Sequence, residues 1–328
     1  MSVIVRPIIV LGAPRSGTTI LRNCLALHPD LWHLPGESHA VLEGPFHPAA
    51  QNYESNRVDA NELGDLAGEL RRGFVQASIN LNLSSADPAQ FLRSNSLTGR
   101  VTAKAKIRWA GAKSMQCRPN EIRFLEKTPK NMLRVPMLAR LFPDAYFVHL
   151  TRDAPGNVAS LTEGWRASDR IGPFTRQRFA RSGYPIADQL ELQDYASKWW
   201  KFALVPDWRS LRGKHLADVA AWQYCQCNRI ALADLAAVEP ARVRRVRHEE
   251  FLRAPVTTLR ELFEWAELPP SPVAEHYAEE LPTVNTVAAV SANQKDGPDG
   301  GRPHSHSAGA AIAATPGLDA VLRDLGYS

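Results

Sequence analysis

The sequence predicts an α/β fold with three layers, a central, mainly parallel sheet and helical insertions. Three observations predict it. The apolar run Ile8-Ile9-Val10-Leu11 opens into Gly12-Ala13-Pro14-Arg15-Ser16-Gly17-Thr18-Thr19 and then into a helical pattern. A second apolar run, Ala145 to Leu150, ends in Thr151-Arg152-Asp153 and passes to a helix-like stretch through Asn157, Val158, Ser160 and Leu161. Strand and helix patterns then alternate along the chain without an internal repeat, which is the signature of a sheet covered by helices.

Four consecutive apolar residues suit a strand buried on both faces, as in a parallel sheet. The glycines at 12 and 17 let the backbone turn tightly and aim its N–H groups inward. Those amides, with the positive end of a helix beginning near Thr18, form an anion site and predict a bound phosphate. The spacing from Gly12 to Thr19 is that of the G-x-x-x-x-G-K-[ST] loop, but Thr18 stands at the lysine position and the cation comes earlier, as Arg15. The loop thus offers hydroxyls and amides where a triphosphate-binding loop places a point charge.

The first helix extends through Leu21 to Leu27. Glu37, in Leu34-Pro35-Gly36-Glu37-Ser38-His39, comes ten residues after it and falls at the next strand end, facing the same cleft. Asp59-Ala60-Asn61 precedes leucines at 63, 66 and 70 and Phe74, a helical spacing with one apolar face. Strand signals are poor around it, so residues 45–120 read as a helical excursion. Ile122 to Leu125 is a short strand. The Glu126-Lys127-Thr128-Pro129-Lys130-Asn131 segment at its end brings Lys127 to the cleft, with Lys130 solvated one turn on. Pro129 to Phe142 reads as a helix kinked at Pro136. Residues 165–185, rich in Arg, Gly and Ser, read as a mobile loop. Helices are expected from Ala187 to Leu204 and from His215 to Leu235, the latter with Trp222 and Tyr224 as core. Val243 to Val246 reads as a strand and Thr257 to Trp265 as a helix closed by Leu268-Pro269-Pro270. Residues 291–314 read as a flexible segment.

A chain of 328 residues, 44% hydrophobic and 22% charged, can bury one large core, so residues 1–328 are expected to form a single domain. The net charge of +5 suits a polyanionic small ligand. Basic residues from Arg242 to Arg247 alternate with valines, as on a strand with a solvated or anion-facing side, so no nucleic-acid partner is expected. The four cysteines, Cys24, Cys117, Cys225 and Cys227, form no C-x-x-C pair, and no secretory leader is evident; reduced thiols and a cytoplasmic location are expected. No apolar run approaches the roughly 20 residues of a membrane span. His304 and His306 lack companion ligands, so no metal is expected. Oligomeric state is open, a homo-oligomer included.

The P-R-S-G-T-T sequence at residues 14–19, its helix and the His28-Pro29-Asp30 beyond it resemble the 5′-phosphosulfate-binding loop of sulfotransferases, enzymes that take a sulfuryl group from 3′-phosphoadenosine 5′-phosphosulfate (PAPS). The resemblance runs from Ile8 to about Leu268 and is nearest in motif style to the protein-tyrosine and glycosaminoglycan branches. It implies a P-loop-like sheet, no metal, and adenosine 3′,5′-bisphosphate (PAP) as product. Pro14, Arg15, Ser16, Gly17, Thr18 and Thr19 would hold the donor's 5′ end. Arg152 and Ser160, matching R-D-x-x-x-x-x-x-S, would hold its 3′-phosphate. Glu37 matches the general base of those branches, with His39 as rival. Lys127, partnered by Arg15, would neutralise the sulfuryl or leaving phosphate oxygens, and Asn131 is a polar contact for the acceptor. Residues 293–302 are similar to a glycine-rich basic loop over the 3′-phosphate, which adds Lys295 and Arg302. Where the family often has a tyrosine, this chain has His248. The acceptor hydroxyl belongs to a small molecule, glycan, lipid or peptide. Two other readings stay open: a P-loop nucleotide kinase and a non-enzymatic nucleotide-binding protein.

Overall fold

Ile8–Leu11 is a fully buried strand in the computed structural model, which describes residues 2–83, 89, 110–170, 183–281 and 308–327. It is β2 of a six-stranded sheet whose other members are β1 (Val3–Ile4), β3 (Leu31–His33), β4 (Glu121–Lys127), β5 (Tyr146–Thr151) and β6 (Val243–Arg247). Every pairing is parallel: β4 meets β1, β3 and β2 along its length, β2 meets β5, and β5 meets β6. The sequence expectation of a parallel α/β sheet with helices on both faces describes this architecture.

Alternation along β2 builds the two outer layers. Ile8 and Val10 belong to one buried cluster with Leu21 and Leu25 of α1 (Thr18–Ala26), Leu262 of α8 (Pro255–Trp265) and Tyr277 of α9 (Pro272–Glu279). Ile9 and Leu11 belong to the other, with Phe74 of α3 (Ala67–Ala77), Leu138 of α4 (Val135–Leu141), Trp165 of α5 (Ala154–Arg170) and Tyr224 of α6 (Leu216–Leu235). The short helices α2 (His39–Leu42) and α7 (His248–Arg253) come after β3 and β6. The chain closes with α10 (Ala308–Ala314) and α11 (Leu318–Leu325). No helix among the described residues is long and apolar enough to cross a membrane.

Several elements depart from the sequence expectation. The helix read from Ala187 to Leu204 is a single 3-10 turn, Ala187–Leu190, with irregular chain after it. Tertiary bonds override its helical composition: Trp200 N–H donates to Tyr184 O at 2.7 Å, Tyr184 N–H donates to Trp200 O at 3.1 Å, and Phe202 is forced to φ 65°. Residues 165–170, read as the start of a loop, continue α5, because the Trp165 indole is buried and donates to Gln223 Oε1 at 2.8 Å. Of the segment read as flexible, Ala308–Ala314 is helical, with Ala311 buried. In the excursion, the helix read at 63–74 divides into a 3-10 turn at Ala60–Leu66 and α3; Asp59 N–H donates to the Glu62 carboxylate at 2.7 Å.

Pro136 does not kink a helix. A 3-10 turn, Pro129–Leu133, comes first, and Pro136 lies in the opening turn of α4, where its missing N–H leaves no helical bond unmade. Replacing Pro136 with Ala is therefore expected to change stability by less than about 1 kcal/mol in urea unfolding; a loss several times larger would show that the ring carries a packing role.

Candidate active site

The turn after β2 is shaped by close approach. A Cβ on Gly12 would come within 2.5 Å of Thr18 Cγ2 and 2.8 Å of Leu150 O, so only glycine fits there. Gly17 stands at φ 90° and Arg15 at φ 72°, the latter at a backbone cost of about 1–2 kcal/mol. The loop is tied down to α5: Asn157 Nδ2 donates to Ser16 Oγ at 2.9 Å and to Pro14 O at 3.2 Å. The Ser16 hydroxyl is thus turned into the protein while Pro14, Arg15, Gly17, Thr18 and Thr19 line a cavity of about 850 Å³.

The end of β5 meets this loop. Arg152 Nη1 donates to the carbonyl of Arg15 at 3.0 Å, and Arg15 Nε donates to Ser160 Oγ at 3.2 Å. Arg152 and Ser160 line the same cavity, so the fold-back that brings a strand-end arginine to a serine two helical turns on is present, with Arg15 between them. Partial burial, and then the neighbouring Arg152, hold the Arg15 guanidinium below its ordinary value. Two crowded cations favour an anion as their partner.

Glu37 enters from the loop after β3, and a buried clasp fixes its place. Glu126, fully buried at the end of β4, accepts from Thr128 Oγ1 at 2.7 Å and Asn131 Nδ2 at 3.0 Å. Thr128 Oγ1 in turn accepts from the Ser38 N–H at 2.8 Å and bonds its hydroxyl at 2.9 Å. Beside this clasp, Lys127 Nζ donates to Glu37 Oε1 at 2.6 Å and His39 Nε2 lies 2.9 Å from Glu37 Oε2. Burial pushes the Glu37 carboxyl up, but the His39 bond and the Lys127 ammonium outweigh it and hold the group at about 2. Burial pulls His39 down, and its bonds to Glu37 and toward Glu43 more than reverse this. Glu37 and His39 both line the cavity, and the His39 Nδ1 is shut off from solvent, 3.8 Å from Glu43 Oε1.

Lys130, read as solvated, is 2% exposed. Its Nζ donates to the Tyr184 hydroxyl at 2.6 Å and lies 3.4 Å from Glu43 Oε1, and Glu43 is also bound by fully buried Arg134 at 2.8 Å. Burial lowers Lys130 to about 8 against the pull of Glu43. Asn131 is likewise buried and bound to Glu126, so it faces the clasp and not an acceptor. Lys295 and Arg302 lie outside the described residues. His248, where the motif departs from the family, has no sequence signal that marks it as a contact; at the end of β6 its ring lines the cavity and packs on Gly17 so closely that a Cβ there would overlap it. Asn157 has a faint one, because an asparagine inside an amphipathic helix, five residues past Arg152, is a polar residue in want of a partner.

Residues 7–187, just over half of the chain, match the profile of the sulfotransferase family. The chain belongs to the sulfotransferase family. Among solved structures it is similar to the sulfotransferase domain from the curacin biosynthetic pathway, at 16% identity and TM-score 0.49, covering 100% of this chain and 99% of that one. It is similar also to sulfotransferase STF9 from Mycobacterium avium, at 16% identity and TM-score 0.42 over 89% of this chain and 77% of that one. A third likeness is to a sulfotransferase from Alicyclobacillus acidocaldarius, at 14% identity and TM-score 0.42 over 87% and 96%. Among curated proteins none matches significantly.

The charge cluster gives this sulfotransferase a pH signature. Glu37 is held below its ordinary 4.5, so its contribution to stability is complete above that pH and is lost as the pH falls toward 2. His39 is raised above its ordinary 6.5, so its contribution is complete below that pH and is lost as the pH rises through its elevated value. Glu37→Gln is therefore expected to lower stability by about 1–2 kcal/mol near pH 5.5. The gap from wild type should narrow in urea titrations at pH 3 and again as the pH rises through the elevated value of His39; a gap that is flat with pH would contradict the assignment.

Proposed function

We propose that this sulfotransferase moves a sulfuryl group from PAPS to an acceptor hydroxyl, acting as a single domain in the cytoplasm. The observation that carries the reading is the convergence of three features on one cavity: the loop residues Pro14, Arg15, Gly17, Thr18 and Thr19, the Arg152 and Ser160 pair, and Glu37 with His39. The donor has two separated phosphate ends, and the cavity is lined both by the loop at the head of α1 and by Arg152 and Ser160. The loop amides at the head of α1 suit the 5′ end; Arg152 and Ser160 suit the 3′-phosphate. The free cysteines support a reducing compartment.

In the proposed reaction the acceptor oxygen forms a bond to sulfur as the bond from sulfur to the 5′-phosphate oxygen breaks. The acceptor proton passes to Glu37, and adenosine 3′,5′-bisphosphate departs. Lys127 opposes the charge gathering on the leaving oxygen, joined by Arg15 once its guanidinium leaves Ser160, and positioning with electrostatics supplies most of the rate. Glu37 is favoured over His39 as the base, because His39 spends Nε2 on Glu37 and has Nδ1 buried. A carboxylate held at about 2 is a weak base, and the same geometry supplies a remedy: anionic oxygens that draw Lys127 away would raise Glu37. Among the described residues, no feature of the cavity selects among small-molecule, glycan, lipid and peptide acceptors.

Calorimetric titration with adenosine 3′,5′-bisphosphate, beside ATP with magnesium and adenosine 5′-monophosphate, tests the donor. Micromolar binding of the bisphosphate without metal is expected; preference for ATP with magnesium would favour a kinase, and binding of none of them a non-enzymatic role. Once an acceptor is in hand, Glu37→Ala should lower turnover by about 10² while leaving bisphosphate affinity within about twofold. Full activity in that variant, with His39→Ala inactive, would reverse the assignment of the base.

A further inference from the structure

The turn that carries Arg152 is held from behind, away from the cavity. Its carbonyl accepts from the Tyr224 hydroxyl at 2.7 Å, and the next N–H, of Asp153, donates to Glu249 Oε1 at 3.0 Å. Glu249 turns its other oxygen to the hydroxyl of Tyr327 at 2.8 Å, just past α11. The same hydroxyl lies 3.4 Å from Thr151 Oγ1, the last residue of β5, and the Tyr327 ring is covered by the Arg247 guanidinium, 4.2 Å from its centroid. A continuous chain of contacts therefore runs from Tyr327 through Glu249 and Asp153 to Arg152, and on from Arg152 Nη1 to the carbonyl of Arg15 in the phosphate loop.

Glu249 divides its two oxygens between these partners. A carboxylate bridging an N–H and a hydroxyl is held in rotation more firmly by both partners than by either alone. The backbone position it holds is that of Asp153, one residue from the guanidinium that faces the cavity. Tyr224 supports the turn independently, so loss of the Tyr327 hydroxyl should loosen the turn without dismantling it.

We propose that Tyr327, acting through Glu249, is a positioning residue for Arg152, so that the C-terminal helix α11 is coupled to the 3′-phosphate station of the donor site. The proposal rests on the donor reading above. Coupling of this kind is reciprocal: if the Tyr327 contact improves the grip on a 3′-phosphate, a bound 3′-phosphate must tighten the docking of Tyr327 and α11.

Two measurements test it, one on a variant and one on the unaltered protein. Tyr327→Phe removes the hydroxyl and keeps the ring on Arg247. Titrated by calorimetry, it should bind adenosine 3′,5′-bisphosphate about 3- to 10-fold more weakly than wild type, while adenosine 5′-monophosphate, which lacks the 3′-phosphate, binds within about twofold. Equal weakening of both nucleotides would mean a general structural loss, and unchanged bisphosphate binding would mean no coupling; either overturns the proposal. In wild type, amide hydrogen exchange across 318–327 should slow when the bisphosphate is added and stay unchanged with the monophosphate. Exchange there that ignores both ligands overturns the proposal without appeal to the variant. If wild type binds neither nucleotide, the donor reading fails first, and the coupling falls with it.

Discussion

The parallel register of the sheet is the constraint on which the cavity depends. Val10 is level with Lys127, Leu11 with His149, and Thr151 with Arg247, so β2, β4, β5 and β6 end close together along one edge. The strand ends thereby deliver their residues to the same rim: the phosphate loop after β2, Arg152 after β5 and His248 after β6, with Lys127, which closes β4, buried behind it and bonded to Glu37. Ligands of open parallel sheets bind outside the carboxyl ends of the strands for this reason. Glu37 is the exception, since it reaches the rim from the loop after β3 and needs the Ser38 to Thr128 bonds to stay there.

Charge is the second organising feature. Lys127 and His39 bond Glu37, the one carboxylate that lines the cavity among the described residues; Arg15 and Arg152 line the same cavity, and the other two nearby carboxylates are committed to structure. Burial raises Glu126, which spends its oxygen on Thr128 and Asn131. Glu43 is held well below its usual range, despite burial, by His39, Lys130 and Arg134. Removing one member of such a buried set strands the others, which is why these polar groups act as fixed scaffolding for the groups that meet solvent. The arrangement leaves net positive potential where a polyanionic ligand would enter.

Much of this is legible in the sequence wherever the signal is local. A buried strand running into glycines and a helix announces itself in a dozen residues, and β2, β5 and β6 with their turns fall close to where the apolar runs put them. The chemistry of Glu37 and Lys127 is legible only through resemblance to a family, because neither residue has a sequence neighbour that explains it; their pairing is between residues 90 apart. Lys130 is misplaced by a sequence reading because its partners, Glu43 and Tyr184, are distant in the chain, and a lysine beside a proline turn looks solvated until they are in place. The segment after Ala187 misleads for a similar reason, its helical composition giving way to the bridge between Tyr184 and Trp200. His248 is marked in the sequence only as a departure from the family's tyrosine, because its packing on Gly17 is a contact that exists only once β6 lies beside β5.

One cavity is proposed to hold both phosphate ends of the donor beside Glu37. A crystal structure with adenosine 3′,5′-bisphosphate tests it most directly. The 5′-phosphate is expected on the amides at the head of α1, within reach of Lys127, and the 3′-phosphate between Arg152 and Ser160. A nucleotide bound with its 3′-phosphate away from Arg152, or with Glu37 and Lys127 remote from the 5′-phosphate, would contradict it.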